Sequence, residues 1–281
     1  MLSPLGGVAP WLDSAALGTV KKITYRAQDG LEIPAYLTLP AGKTESAGPF
    51  PLVLLPHGGP ESRDTIDYDW MAQALAQEGF MVLQPNFRGS SGYGRAFRNA
   101  GFNEFGDLMV QDVLDGMTYL QQRGLADQRG ACAMGASYGG YSALMMGLMD
   151  QSKIRCVISI NGVTDPYEIA GRWASDMPGA KYWSQYMGDR YTARDLKTKI
   201  SPLERVRDYN IPVLLMHGKE DTTVPYAQSE VFAIRAKGMD KIRFVPLEGA
   251  DHYLGSSRVR IELLTQSLSF LKAHHPARSG P

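Results

Sequence analysis

The residues best placed to do chemistry are Gly135-Ala136-Ser137-Tyr138-Gly139, which close the apolar run Ala131 to Met134 and open a helical pattern at Tyr141, Leu144, Met145 and Leu148. A G-x-S-x-G between a strand and a helix is the context of a nucleophile elbow, a sharp turn that lifts a serine Oγ clear of the sheet edge. Glycines are expected at 135 and 139 because strand and helix nearly touch there, and Ser137 must take a strained backbone conformation. The motif alone carries little weight in a chain with 30 glycines, so the downstream residues matter.

A serine hydroxyl is a poor nucleophile until a base takes its proton. Downstream of Ser137, histidine stands at 217, 252, 274 and 275. His252, in Glu248-Gly249-Ala250-Asp251-His252-Tyr253, falls in a loop between the last strand and the last helix and is the expected base. The acid should precede it, in the order Ser, acid, His. Asp221, in the loop Gly218 to Pro225, fits that order, with Glu220 as its nearest competitor and Asp251 read as turn-forming. Its task would be to accept the His252 Nδ1–H, fix the tautomer and stabilise the imidazolium. The developing oxyanion needs two donors. The Tyr138 amide is one, and a Gly58 or Gly59 amide of His57-Gly58-Gly59-Pro60 is the other. His57 either shapes this site or buttresses its loop.

Alternating strands and helices must position these groups. A hairpin over Val20–Pro40 turns at Asp29-Gly30, a strong turn dipeptide. Continuous apolar runs at 52–55, 80–83, 131–134, 156–160 and 213–216 read as strands buried on both faces. Helical spacing appears over 69–78, 107–123, about 226–237 and about 257–273, with a further strand at 242–247. Residues 163–200 break the rhythm with Tyr167, Trp173, Tyr182, Trp183, Tyr186 and Tyr191, and read as an irregular aromatic stretch that lines a pocket or packs a lid. Right-handed crossovers then give a mostly parallel sheet with helices on both faces. The expected organisation is a linker-like segment over 1–18, one catalytic domain over 19–273 and a disordered tail over 274–281.

Composition narrows the function classes. Lys+Arg and Asp+Glu both total 29 in 281 residues, which gives no electrostatic case for nucleic acid or acidic lipid. No apolar run is long enough to span a membrane. The N-terminus lacks the basic start and apolar core of a signal peptide. The two cysteines, Cys132 and Cys156, read as small core residues of two buried strands, and their number excludes a disulfide framework or a cysteine metal site. With no signal peptide and no disulfide pattern, the cytoplasm is the expected compartment. The triad chemistry calls for no metal and no cofactor.

Together, H-G-G-P, N-F-R-G-S-S-G-Y-G-R-A-F, G-A-S-Y-G-G-Y, S-P-L, H-G-K-E-D-T-T-V-P and Asp251-His252 resemble the catalytic domain of the prolyl oligopeptidase family of serine peptidases, in its acylaminoacyl-peptidase and dipeptidyl-peptidase branch. The resemblance spans about residues 19–272 and implies an α/β-hydrolase fold. It implies Ser137 as nucleophile, Asp221 as acid and His252 as base, with the Tyr138 amide and the H-G-G-P loop at the oxyanion. Arg88 and Tyr93 would help build the loop beside the site, and His57, Trp183, Tyr186 and Val224 complete the expected substrate pocket. Members of the family carry an N-terminal β-propeller that helps hold a peptide, and nothing resembling one is read here. Without such remote contacts a peptide amide is harder to orient, whereas an activated ester needs less help. The expected substrates are therefore short-chain carboxylic esters, with short peptides as the alternative. A missing propeller domain is the one partner the resemblance suggests.

Overall fold

The computed structural model describes residues 16–173, 177–188 and 198–276. Its strands are β1 (Val20–Arg26), β2 (Glu32–Thr38), β3 (Phe50–Leu54), β4 (Met81–Pro85), β5 (Ala126–Ala136), β6 (Ile154–Ile160), β7 (Val213–Gly218) and β8 (Ile242–Leu247). They form one sheet in the order β1-β2-β4-β3-β5-β6-β7-β8. The β1–β2 hairpin is antiparallel, β2 pairs antiparallel with β4, and every later pairing is parallel. The expected α/β-hydrolase architecture is the one observed.

Among the described residues the main helices are α1 (Trp70–Gln77), α2 (Gly94–Asn99), α3 (Leu108–Gln122), α4 (Tyr138–Met149), α5 (Pro166–Trp173), α6 (Met177–Met187), α7 (Ala227–Arg235) and α8 (Ser257–His274). They cover both faces of the sheet, which is why the central strands read as unbroken apolar runs. Val53, Val82, Cys132, Ile158 and Met216 face a core closed by Leu75 of α1 and Leu263 of α8. Their neighbours Leu52, Leu83, Ala133, Val157 and Leu215 face the opposite core with α3 and α4. Strand direction therefore fixes the C-terminal edge of β3, β5, β6 and β7 as the place where loops can assemble chemistry.

The structure differs from the sequence reading in three places. Cys132 and Cys156 form a disulfide, with Cα atoms 4.7 Å apart. Parallel pairing of β5 with β6 sets the two residues opposite one another, and both are fully buried. A reducing compartment inferred from the lack of a disulfide thus has no support. The aromatic stretch is not irregular where it is described, since it holds α5 and α6. The side chain of Trp173 and all of Tyr191 lie outside the described residues, as do residues 1–15 of the linker-like segment. Finally, His274 ends α8, and the buried His275 accepts the Leu52 N–H on Nε2 at 3.2 Å, which anchors the chain to β3 at the start of the expected tail. Residues 277–281 lie outside the described residues.

Candidate active site

The turn at the end of β5 is built as its sequence requires. Ser137 has φ 59° and ψ −123°, a left-handed region that costs a non-glycine residue about 1–3 kcal/mol. A Cβ on Gly135 would stand 2.5 Å from the Gly139 carbonyl carbon, and one on Gly139 would stand 2.1 Å from the Pro56 carbonyl oxygen. Side chains at either glycine would push the helix off the strand and the neighbouring loop.

Three segments converge on the serine. Its Oγ lies 3.1 Å from His252 Nε2, and His252 Nδ1 lies 2.7 Å from Asp221 Oδ2. Since a carboxylate only accepts, Nδ1 carries the proton and Nε2 is left to accept from Ser137. Asp221 is buried, whereas Glu220 is exposed, which decides between the two acids. Asp251 is exposed too, and its carboxylate accepts the Tyr253 N–H at 3.1 Å in a local turn. Asp221 Oδ1 accepts the Thr223 and Val224 N–H groups at 2.9 and 2.8 Å. Burial alone would raise the pKa of this carboxyl. The His217 and His252 side chains and the Val224 amide outweigh burial and hold it at about 2.

His217, passed over in the sequence as a base, stands behind the acid. It is fully buried, its Nε2 donates to the Val224 carbonyl at 2.9 Å, and its Nδ1 lies 2.7 Å from the Ser229 hydroxyl. The same Nε2 is 3.6 Å from Asp221 Oδ2. The ring thus ties the acid's loop to β7 and α7.

Two backbone segments, both expected at the oxyanion, lie beside Ser137. Tyr138 is the first residue of α4, so its N–H has no partner within the helix. A Cβ on Gly58 would stand 3.9 Å from Ser137 Oγ, which places the loop after β3 directly against the nucleophile. Gly59 has φ 130°, and a Cβ there would meet the Glu61 nitrogen at 2.8 Å, so only glycine fits. His57 is a buttress. Its Nδ1 donates to the Gly58 carbonyl at 2.7 Å, and its Nε2 lies 2.9 Å from Ser90 Oγ. Burial pushes this imidazole down to about 4, so it is neutral near pH 7.

A cavity of about 290 Å3 opens beside Ser137, lined by Gly59, Tyr138 and a mostly apolar wall of Phe105, Val163, Ile169, Tyr182, Trp183, Thr223 and Val224. Trp183 and Val224, both expected in the substrate pocket, line this cavity. Four other expected pocket residues are not on this wall. His57 lies beneath the loop, and Arg88 is drawn inward by Asp112 and Asp29 at 2.7 and 2.8 Å. The Tyr93 hydroxyl accepts from Asn86 at 2.8 Å, and Tyr186 sits behind Tyr182 with its hydroxyl 3.1 Å from Glu61 Oε2. Phe105 was missed because it stands in a loop before α3, with no periodicity to mark it. No cluster of His, Cys, Asp and Glu able to hold a metal occurs among the described residues.

The sequence profile of the prolyl oligopeptidase family matches residues 66–277. The chain belongs to this family. Among curated family relatives, it is 33% identical over 256 residues to the dipeptidyl aminopeptidase BIII of Pseudoxanthomonas mexicana, a match that takes 85% of this chain and 36% of the relative. It is 27% identical over 255 residues to the acylamino-acid-releasing enzyme of Mus musculus, covering 87% of this chain and 34% of that one. The chain thus spans about a third of the length of the curated relatives it matches. A puromycin-hydrolyzing peptidase of Mycobacterium tuberculosis superposes with a TM-score of 0.84 at 25% identity, over 94% of this chain and 40% of the other. The Pyrococcus horikoshii acylaminoacyl peptidase shares the fold, with a TM-score of 0.80 at 23% identity, over 94% of this chain and 43% of that one.

Proposed function

We propose that the chain is the catalytic unit of a serine peptidase that cleaves short peptides after an apolar residue, through an acyl-enzyme on Ser137. The observation that carries this reading is the Ser137–His252–Asp221 relay, at 3.1 and 2.7 Å, on the rim of the apolar cavity. His252 takes the serine proton as Oγ attacks the scissile carbonyl, then returns it to the departing amine. Asp221 keeps its charge and steadies the imidazolium. The Tyr138 amide and a Gly58 or Gly59 amide receive the oxyanion. The cavity wall would take the side chain on the acyl side of the bond. Among the described residues no charged side chain lies on that wall, which favours leucine-, phenylalanine- or methionine-like groups.

Short-chain esters were the first expectation, on the argument that peptide recognition would need a remote domain. The relatives named above are peptidases, and a side-chain pocket is present within the chain itself, so peptides are the better reading. Acylated and free amino termini both remain within it. The test is to incubate the protein with a set of short peptides and read the fragments by mass spectrometry, with Ser137→Ala as the blank. Ser137-dependent cleavage after apolar residues is expected. Intact peptides alongside Ser137-dependent ester turnover would return the reading to an esterase.

A further inference from the structure

The end of β6 touches the segments that carry all three triad residues. The Ile160 carbonyl accepts the Ser137 N–H at 2.9 Å, which holds the elbow. The next residue, Asn161, is fully buried with φ 45°, a left-handed conformation that asparagine tolerates better than most. Its main-chain N–H bonds the Met216 carbonyl at 2.9 Å. Its side chain does more. Oδ1 accepts the Gly218 N–H at 2.8 Å, and Nδ2 faces the Asp251 and His252 carbonyls at 3.1 and 3.4 Å. The orientation of the amide is fixed by its partners, because an N–H can only donate and carbonyls can only accept.

We propose that Asn161 is the positioning residue of the catalytic base, an amide clamp that sets the His252 loop in register with the acid's loop and the elbow. The inference rests on the reading of His252 as general base. Gly218 begins the loop that carries Asp221, and the Asp221 N–H bonds back to the Gly218 carbonyl at 3.2 Å. The acid's loop and the base's loop also meet at the bond from the Glu220 N–H to the Ala250 carbonyl at 3.0 Å, at the exposed Lys219–Glu248 ion pair at 2.6 Å and at the triad contact itself. The Lys219 N–H bonds the Leu247 carbonyl at the end of β8 at 3.1 Å. Of these contacts and those of Asn161, only the triad contact and the Asn161 amide reach residues 251 and 252. The imidazole must reach both Asp221 Oδ2 and Ser137 Oγ, so a small drift of residues 251–252 lengthens both bonds together. A misplacement of about 1 Å is enough to cost about 100-fold in rate. Asparagine is suited to this place because one planar group supplies both donor and acceptor while its backbone accepts a positive φ. In the sequence it is hidden in Asn161-Gly162, which reads as an ordinary turn.

The test uses Asn161→Gly, which keeps the left-handed backbone and removes the amide, and Asn161→Asp, which keeps the acceptor for Gly218 and loses the donor toward residues 251 and 252. For each, kcat and KM on a peptide substrate, the rate of Ser137 labelling by a fluorophosphonate and the thermal melt are measured per folded molecule. The expected result is a fall in kcat of about 10- to 100-fold, KM within about threefold, and labelling slowed in parallel with kcat. If Asn161→Gly does not fold, Asn161→Asp carries the test. A kcat within about threefold of wild type, or a loss that only tracks the unfolded fraction, overturns the inference and leaves the peptidase reading standing. A wild type with no Ser137-dependent turnover takes down both.

Discussion

Two carboxylates in this protein are shut off from solvent and are held in opposite ways. The side chains of Asp112, on α3, and Asp221, after β7, are both fully buried. Asp112 is saturated by a permanent cation. Arg88 reaches it through Nε at 2.9 Å and Nη2 at 2.7 Å, adds its main-chain N–H at 2.8 Å, and also binds Asp29. Burial works against the Arg88 charge, but these carboxylates outweigh it and bind its proton more tightly than usual. Asp221 is instead held by two backbone amides and the His252 ring, with the His217 ring 3.6 Å away, and among the described residues no arginine or lysine is bonded to it. The Arg88 cluster locks the loop after β4 to the hairpin and α3. The Asp221 cluster leaves its carboxylate without an arginine or lysine partner among the described residues, as the proposed mechanism requires.

The sharpest way to break this comparison is at the chemistry itself. Ser137→Ala should lower turnover by up to about a millionfold and leave the melting temperature and circular dichroism close to wild type. Asp221→Asn should cost about 10,000-fold in kcat, because the amide favours the wrong His252 tautomer. Asp112→Ala should behave in the opposite way. It leaves Arg88 with only the partly exposed Asp29 as partner and should cost up to about 3–5 kcal/mol in a denaturant titration, while the molecules that remain folded keep a kcat within an order of magnitude of wild type. A catalytic loss at Asp112 as deep as that at Asp221 would erase the distinction.

A smaller effect appears in the pH dependence of stability. The folded Asp221 carboxyl is held at about 2, below its usual range near 3.9. Its contribution is therefore complete above the unfolded value and lost as pH falls toward the folded one. Between pH 5 and pH 2.5, melting of the wild type should drop further than melting of Asp221→Asn. Equal slopes would mean that the carboxylate is not specially stabilised. The smallest effect is on selectivity. Ile169→Val takes one methylene from the cavity wall and should shift the kcat/KM ratio between leucyl and phenylalanyl substrates by no more than about tenfold.

How much of this could be read from the sequence depends on the range of the interactions. Ser137 was legible because the elbow is local, with its strand, glycines and helix contiguous. Asp221 and His252 were legible because loop order follows strand order in a parallel sheet. Strand register is not local, and so the Cys132–Cys156 pair escaped, although each cysteine had been placed in the right strand. The pocket was half legible. Trp183 and Val224 could be named from composition and motif, but Phe105 and Val163 reach the cavity only through the packing of separate loops. Arg88 and Tyr93 were drawn to the site by resemblance alone, and their partners Asp112, Asp29 and Asn86 show why they serve as supports.

The central claim is that Ser137 cleaves peptide-like amides with the help of His252 and Asp221. The most direct test is kcat/KM on an aminoacyl or short peptidyl p-nitroanilide with an apolar residue at the scissile bond, beside a short-chain p-nitrophenyl ester, for wild type and Ser137→Ala. Anilide turnover that vanishes with Ser137 is the predicted result. Anilide turnover that survives Ser137→Ala, or its absence beside brisk Ser137-dependent ester turnover, would contradict the claim.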